Sequence, residues 1–182
     1  MIHVLMNTTL DGCCDHTQVI ADDEHHEYAT DELNRAEVLL FGRNTYDLIR
    51  GYWQDIAATG KGSPTVVRFA RLLEAKPKHL VSSHPPAPGW NTSLLPRDEN
   101  GNAVRALRQA VGGTILVMAS PTLVRALAEW ELVDEYHLAI QPILAGRGPT
   151  FLAGLRAPIQ VTLKEARALK SGVALHRYVV GR

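Results

Sequence analysis

Three short apolar runs constrain the fold of this chain more than any other feature: Val38 to Phe41 (VLLF), the run in His79 to Ser83 (HLVSS), and Thr114 to Met118 (TILVM). Strands that are apolar along their whole length suit a parallel sheet covered on both faces. Helical patterns alternate with these runs, as βαβ units require. The predicted fold class is therefore α/β, with a mainly parallel central sheet.

The remaining elements fit around that frame. Ile2, Val4 and Met6 alternate with His3 and Leu5, which predicts a first strand with at least one buried face. The acidic run Asp22, Asp23 and Glu24 suits a helix start, where negative charge meets the positive end of the dipole, and that helix is predicted to reach about Asn34. Thr45 to Trp53 reads as helix, Gln54 to Ser63 as loop, and TVVRFARLLEA as a helix closed by Pro77. The run HPPAPGW is loop, because consecutive prolines remove donors and fix the backbone. TSLL is a brief strand, and Ala103 to Val111 a helix ended by Gly112-Gly113. Ser120 is predicted to cap the next helix, with Pro121 at its first position. EYHLAIQPIL is a strand, and two last strands joined at Lys170-Ser171-Gly172 form a closing antiparallel hairpin. One domain spanning residues 1–182 is expected.

In an open α/β sheet, ligands bind beyond the carboxyl ends of the strands. At Gly42-Arg43-Asn44-Thr45 a strand hands over to a helix. Gly42 lets backbone approach a ligand, Arg43 carries a permanent forked cation, and Thr45 either caps the helix or lends its hydroxyl to an anion. Ala119-Ser120-Pro121-Thr122 is a second such junction, and Ser82-Ser83 ends a third strand with two hydroxyls. Each also reads as an ordinary cap or turn; together they suit phosphate groups.

Charge and cysteine content narrow the function classes. The net charge is zero, so no basic excess points to nucleic acid or an anionic membrane. The apolar stretches are too short to span a bilayer. The opening MIHVLMNTTLDG reads as the first strand of the fold rather than a signal peptide. The two cysteines, Cys13 and Cys14, are adjacent and suit a reduced cytoplasmic protein. Neighbouring histidines such as His25 and His26 point about 100° apart on a helix, and no His-x-x-x-His or Cys/His spacing occurs, so no metal is expected.

The segments LLFGRNTYDLI, KHLVSS and the long run TILVMASPTLVRALAEWELVDEYHLAIQPILAGRGPTFL resemble the dihydrofolate-reductase superfamily. TTLDG and LVDEYHLAIQPILAGRGPTFL resemble more closely the branch holding the C-terminal reductase domain of the riboflavin-biosynthesis deaminase–reductase. The deaminase signature, His-x-Glu with Pro-Cys-x-x-Cys, does not occur in this sequence. The resemblance implies a dihydrofolate-reductase-like three-layer fold and NADPH as cofactor. It places Gly42, Arg43 and Thr45 at the cofactor phosphates, Ser82 and Ser83 near the adenosine 2′-phosphate, and Ala119, Ser120 and Thr122 at the pyrophosphate. Ala119 stands where relatives carry glycine, so its methyl group is expected to crowd the cofactor. It implies hydride transfer to a small heterocycle, a ribosylamino-pyrimidine or a pterin-like compound, with a fold-retaining binding protein as the other class. Candidate proton donors are Asp11, Asp22, Asp23 and His26, each equally readable as a turn or helix-start residue. Arg147, in its Gly-Arg-Gly loop, is the candidate contact for a phosphorylated substrate. A homodimer is expected, with Val173, Leu175, Val179 and Val180 of the closing hairpin offered to a partner copy.

Overall fold

The computed structural model describes residues 1–181. Its elements follow in the order β1 (Ile2–Thr9), α1 (Asp23–Arg35), β2 (Ala36–Gly42), α2 (Arg43–Thr59), α3 (Pro64–Ala75), β3 (Lys78–Ser82) and β4 (Thr92–Pro96), and then α4 (Asn102–Ala110), β5 (Thr114–Met118), α5 (Pro121–Glu129), β6 (Glu135–Gln141), β7 (Val161–Ala168) and β8 (Ala174–Val180). The strands form one eight-stranded sheet in the order β4-β3-β2-β5-β1-β6-β8-β7. From β4 to β6 every neighbouring pair is parallel. The β6–β8 and β8–β7 pairs are antiparallel. This is the α/β sheet with a closing hairpin that the sequence predicts, and the continuously apolar runs in β2, β3 and β5 lie among its parallel strands.

Strand alternation divides the core into two layers. Ile2, Val4, Met6, Val38, Leu40, Ile115 and Val117 point to one face and meet Val104 of α4 and Leu123, Val124 and Leu127 of α5. Leu5, Leu39, Phe41, Leu80 and Leu116 point to the other face and meet α1, α2 and α3 through Ala29, Leu33, Tyr46, Phe69 and Leu73. A β-strand turns successive side chains to opposite faces, so each apolar run feeds both layers at once.

Two segments differ from the sequence reading. α2 runs to Thr59, so the stretch from Gln54 read as loop is helix for six more residues before Gly60 ends it with a φ of 69°. The polar run hides one apolar anchor, Ile56, which is buried. In the hairpin, Val173 and Leu175 pack inward on Ala139 and Leu169. They are buried within the chain itself and are not available to a partner copy, contrary to expectation. On the outer strand of the hairpin, β7, Val161 and Leu163 are exposed. Among the described residues, no helix is long and apolar enough to cross a membrane.

Candidate active site

Because β3, β2, β5, β1 and β6 are neighbours and parallel, their carboxyl ends open on one edge of the sheet. That edge gathers Ser82, Gly42-Arg43, Ala119-Ser120, the Thr9–Gly12 turn and the loop after Gln141. The three anion-suited junctions are thereby brought together. Arg43 donates from Nε and Nη2 to Ser82 Oγ at 3.3 and 3.1 Å, and from Nη2 to the carbonyls of His84 and Pro85 at 2.6 and 3.1 Å. Its acidic neighbour is Asp47, one turn on at 3.4 Å and itself exposed. Among the described residues, no buried carboxylate pairs with the guanidinium.

The second joint links β2 to β5. Gly42 N donates to Ser120 Oγ at 3.0 Å. The sequence reading made Ser120 a side-chain cap; instead its hydroxyl serves β2, and the residue adopts a left-handed φ of 60° with no side-chain cap bond to α5. Ala119 is left-handed too, at 50°. Thr45 does not cap α2 either, because the cap position is Gly42, which has no side chain to give. Two helix starts therefore lie side by side without side-chain acceptors, and the first amides of a helix have no intrahelical partner. A Cβ on Gly42 would lie 3.4 Å from Ser120 Oγ, so the two helix starts sit within ordinary contact of each other. Donor amides and a guanidinium whose ion-pair partner, Asp47, is exposed fit a pyrophosphate and a terminal phosphate. Ser83 and Thr122 lie exposed beside this arrangement.

The candidate proton donors are bound into the frame. Asp11 accepts from Thr9 Oγ1 and from the backbone amides of Ala145 and Gly146 at 3.1 and 2.6 Å. These bonds, the Thr9 hydroxyl first, hold its carboxyl down at about 2. Asp11 thereby pins the 142–150 loop to the first turn. The same two segments are laced together by Cys14 N to Pro149 O at 2.8 Å and Phe151 N to Gly12 O at 2.7 Å. Arg147 is exposed on the loop so held. Asp22 caps α1 by accepting from His25 N at 2.8 Å, which lowers its pKa. Asp23 accepts from the hydroxyls of Ser63 and Thr65, tying α1 to the start of α3, and is likewise lowered. His26 turns into the core, with Nδ1 on Asp22 O at 2.8 Å and its ring edge-on to Trp53 and Phe69. None of these groups stands free to deliver a proton.

His25, the neighbour of His26, points elsewhere. Its Nε2 meets Asn7 Oδ1 at 2.7 Å, and Gln141 Nε2 reaches the same oxygen at 3.4 Å. Burial pushes the His25 pKa down to about 4. This trio sits at the carboxyl ends of β1 and β6, and sequence spacing gave no signal for it beyond the strand positions of Asn7 and Gln141.

The profile of the RibD C-terminal domain family matches residues 1–175. The chain belongs to that family. Solved structures carry the same fold. A protein from Shewanella sp. PV-4, assigned to riboflavin biosynthesis, superposes with a TM-score of 0.73 at 19% identity, covering 100% of this chain and 99% of that one. The deaminase/5-amino-6-(5-phosphoribosylamino)uracil reductase of Thermotoga maritima gives 0.69 at 13% identity over 100% of this chain and 56% of its own. A dihydrofolate reductase from Enterococcus faecalis, complexed with NADP(H), gives 0.64 at 9% identity over 100% of this chain and 97% of its own. Membership of the RibD C-terminal family and this dihydrofolate-reductase-like fold agree with the resemblance drawn from the motifs.

Proposed function

We propose that the protein is an NADPH-dependent reductase of a small heterocycle, most like the uracil reductase of riboflavin biosynthesis. The observation that carries this reading is the Arg43–Ser82 contact beside two helix starts without side-chain caps, on the carboxyl edge of a RibD-family sheet. Arg43, Ser82 and Ser83 would hold the 2′-phosphate, the feature separating NADPH from NADH. Gly42, Thr45, Ala119, Ser120 and Thr122 would hold the remaining phosphates with backbone amides and hydroxyls. NADPH, when bound, supplies the hydride. The chain's own part is to orient the heterocycle, and Asn7, half-buried with its Oδ1 fixed by His25 and Gln141, would turn its amide NH2 to an acceptor on a pyrimidine or pterin ring. Arg147 at the rim would take a substrate phosphate. The accompanying proton is assigned to solvent at the open edge.

A second reading is a binding protein that kept the fold without turnover. The commitment of Asp11, Asp22 and Asp23 to structural hydrogen bonds favours it.

A thermal-shift comparison separates the readings. NADPH at 100 times its dissociation constant stabilises a native protein by ~2.7 kcal/mol. The expected result is a rise in melting temperature with NADPH, a much smaller one with NADH, and loss of the difference in Arg43→Ala. Candidate aminopyrimidines and dihydropterins are then added while NADPH absorbance is followed. A fall in absorbance supports the reductase; a shift without turnover on any of them leaves the binding protein. No shift with either nucleotide removes the reductase and leaves a protein that binds another ligand.

A further inference from the structure

At the opposite edge of the sheet, three side chains far apart in sequence converge. Strand alternation turns His3 of β1 and His137 of β6 to the α1 side, and the register sets His3 against Glu135 and Leu5 against His137. The two imidazoles stack with centroids 5.3 Å apart and planes 22° from parallel. Glu32, near the end of α1, brings Oε2 to 3.5 Å from His137 Nδ1. One ligand atom from each of His3, Glu32 and His137 lies within 4.8 Å of the others. Glu32 and His137 are each 2% exposed. Both ring nitrogens of His3 are buried with no hydrogen-bond partner among the described residues, which is costly unless something else takes them.

We infer that His3, Glu32 and His137 form a site for a first-row divalent metal ion of the zinc class. Two imidazoles and a carboxylate are a donor set that such ions accept. The outer groups are in place as well. His137 Nε2 lies 3.2 Å from Glu135 Oε2, and Arg177 Nη1 donates to that same oxygen at 3.2 Å. A carboxylate on one ring nitrogen fixes the tautomer and leaves the lone pair of the other for a metal. That other nitrogen, Nδ1, now faces Tyr28 Oη at 2.8 Å, and the ion would replace the phenol proton there. Glu32 is paired with Arg35, whose side chain is 67% exposed and can swing into water. A tetrahedral ion with bonds of ~2.1 Å needs its ligand atoms about 3.4 Å apart, so the widest pair draws in on binding. The site lies at the amino ends of β1 and β6, away from the edge bearing Arg43. Its role is to clamp α1 onto those strands, not to take part in hydride transfer.

The test is calorimetric titration of chelator-treated full-length protein with Zn²⁺, with Mg²⁺ as the control ion. The expected result is one equivalent of Zn²⁺ bound and none of Mg²⁺. Glu32→Gln and His3→Asn are each expected to weaken binding at least tenfold. Glu135→Gln is expected to weaken it ~10–100-fold while the stoichiometry stays at one. Co²⁺ substitution reads the ligand set without any variant, so a misfolded variant leaves the test intact. Visible bands of a tetrahedral nitrogen–oxygen site, with no thiolate charge-transfer band, support the assignment. A thiolate band, which would mark Cys13 or Cys14 as the ligand, overturns it. So does the absence of stoichiometric Zn²⁺ binding, or affinity unchanged in both folded variants.

Discussion

At the residue scale, the candidate site is decided by which hydrogen bonds each polar side chain makes. Ser120 Oγ accepts from Gly42 N rather than from the amides of its own helix, which leaves α5 open at its start. Ala119 and Ser120 hold left-handed backbone in succession, a conformation costing a non-glycine residue ~1 kcal/mol or more. Ala119→Gly is therefore expected to stabilise the protein by up to about 1 kcal/mol in denaturant unfolding and, under the proposed function, to tighten NADPH binding by removing the methyl group. Unchanged stability would show that Ala119 bears no strain. His25 gives a pH prediction. Burial, with a lesser push from His26, holds its folded pKa at about 4 against an ordinary 6.5, while Asp22 pulls weakly the other way. The unfolded chain binds the proton first as pH falls, so stability from this group is full above 6.5 and is lost between 6.5 and about 4. At ~1.4 kcal/mol per pH unit the loss is on the order of 3 kcal/mol. Urea titrations across that window should show a shallower decline in His25→Gln; an identical slope would remove His25 as a cause.

At the scale of elements, the first turn and the loop after β6 act as one piece. Asp11 accepts the amides of Ala145 and Gly146, and Gly148 faces Cys13 so closely that a Cβ would fall 2.5 Å from its sulfur. Asp11→Ala should release this loop alone. Hydrogen exchange is expected to quicken across residues 142–150 while the melting temperature moves little, since Asp11 is exposed; global destabilisation instead would assign Asp11 to the core. Lys78 performs a comparable junction role in the interior. It is 1% exposed, donates to the carbonyls of Glu74 and Lys76 at 3.1 and 2.7 Å, and lies 4.8 Å over the Trp90 ring. A cation suits the negative end of α3, yet burial lowers its pKa to about 8. The unfolded lysine keeps its proton to about 10.5, so stability should rise as pH climbs from 8 to 10.5. Lys78→Met should abolish that rise in thermal melts; persistence of the rise would point to another group.

At the scale of the whole molecule, the closing hairpin leaves β7 as an edge strand whose residues are all exposed, with Val161 and Leu163 outward. Long exposed edges invite pairing with another chain. We propose a homodimer through this strand rather than through Val173 and Leu175. Sedimentation at micromolar concentration is expected to give a dimer that Leu163→Lys dissociates; a monomer in the unsubstituted protein rejects it.

The layers were legible in the sequence because apolar periodicity is a local property: VLLF, HLVSS and TILVM had to be buried strands, and the helices between them had to cover both faces. The anion-suited junctions were legible for the same reason, since glycine, arginine and serine sat where strands gave way to helices. The extra turns of α2 were not, because a single Ile56 in a polar run carries too little periodicity. Nor was the fate of Asp11, Asp22, Asp23 and His26, whose roles depend on partners up to 135 residues away. The sequence alone determined which segments fold into strands and helices, and where phosphate-suited residues fall along the chain. Only the strand order decided that Arg43 meets Ser82, that Gly42 meets Ser120, and that His3, Glu32 and His137 converge, because hydrogen-bond partners are set by which strands lie side by side.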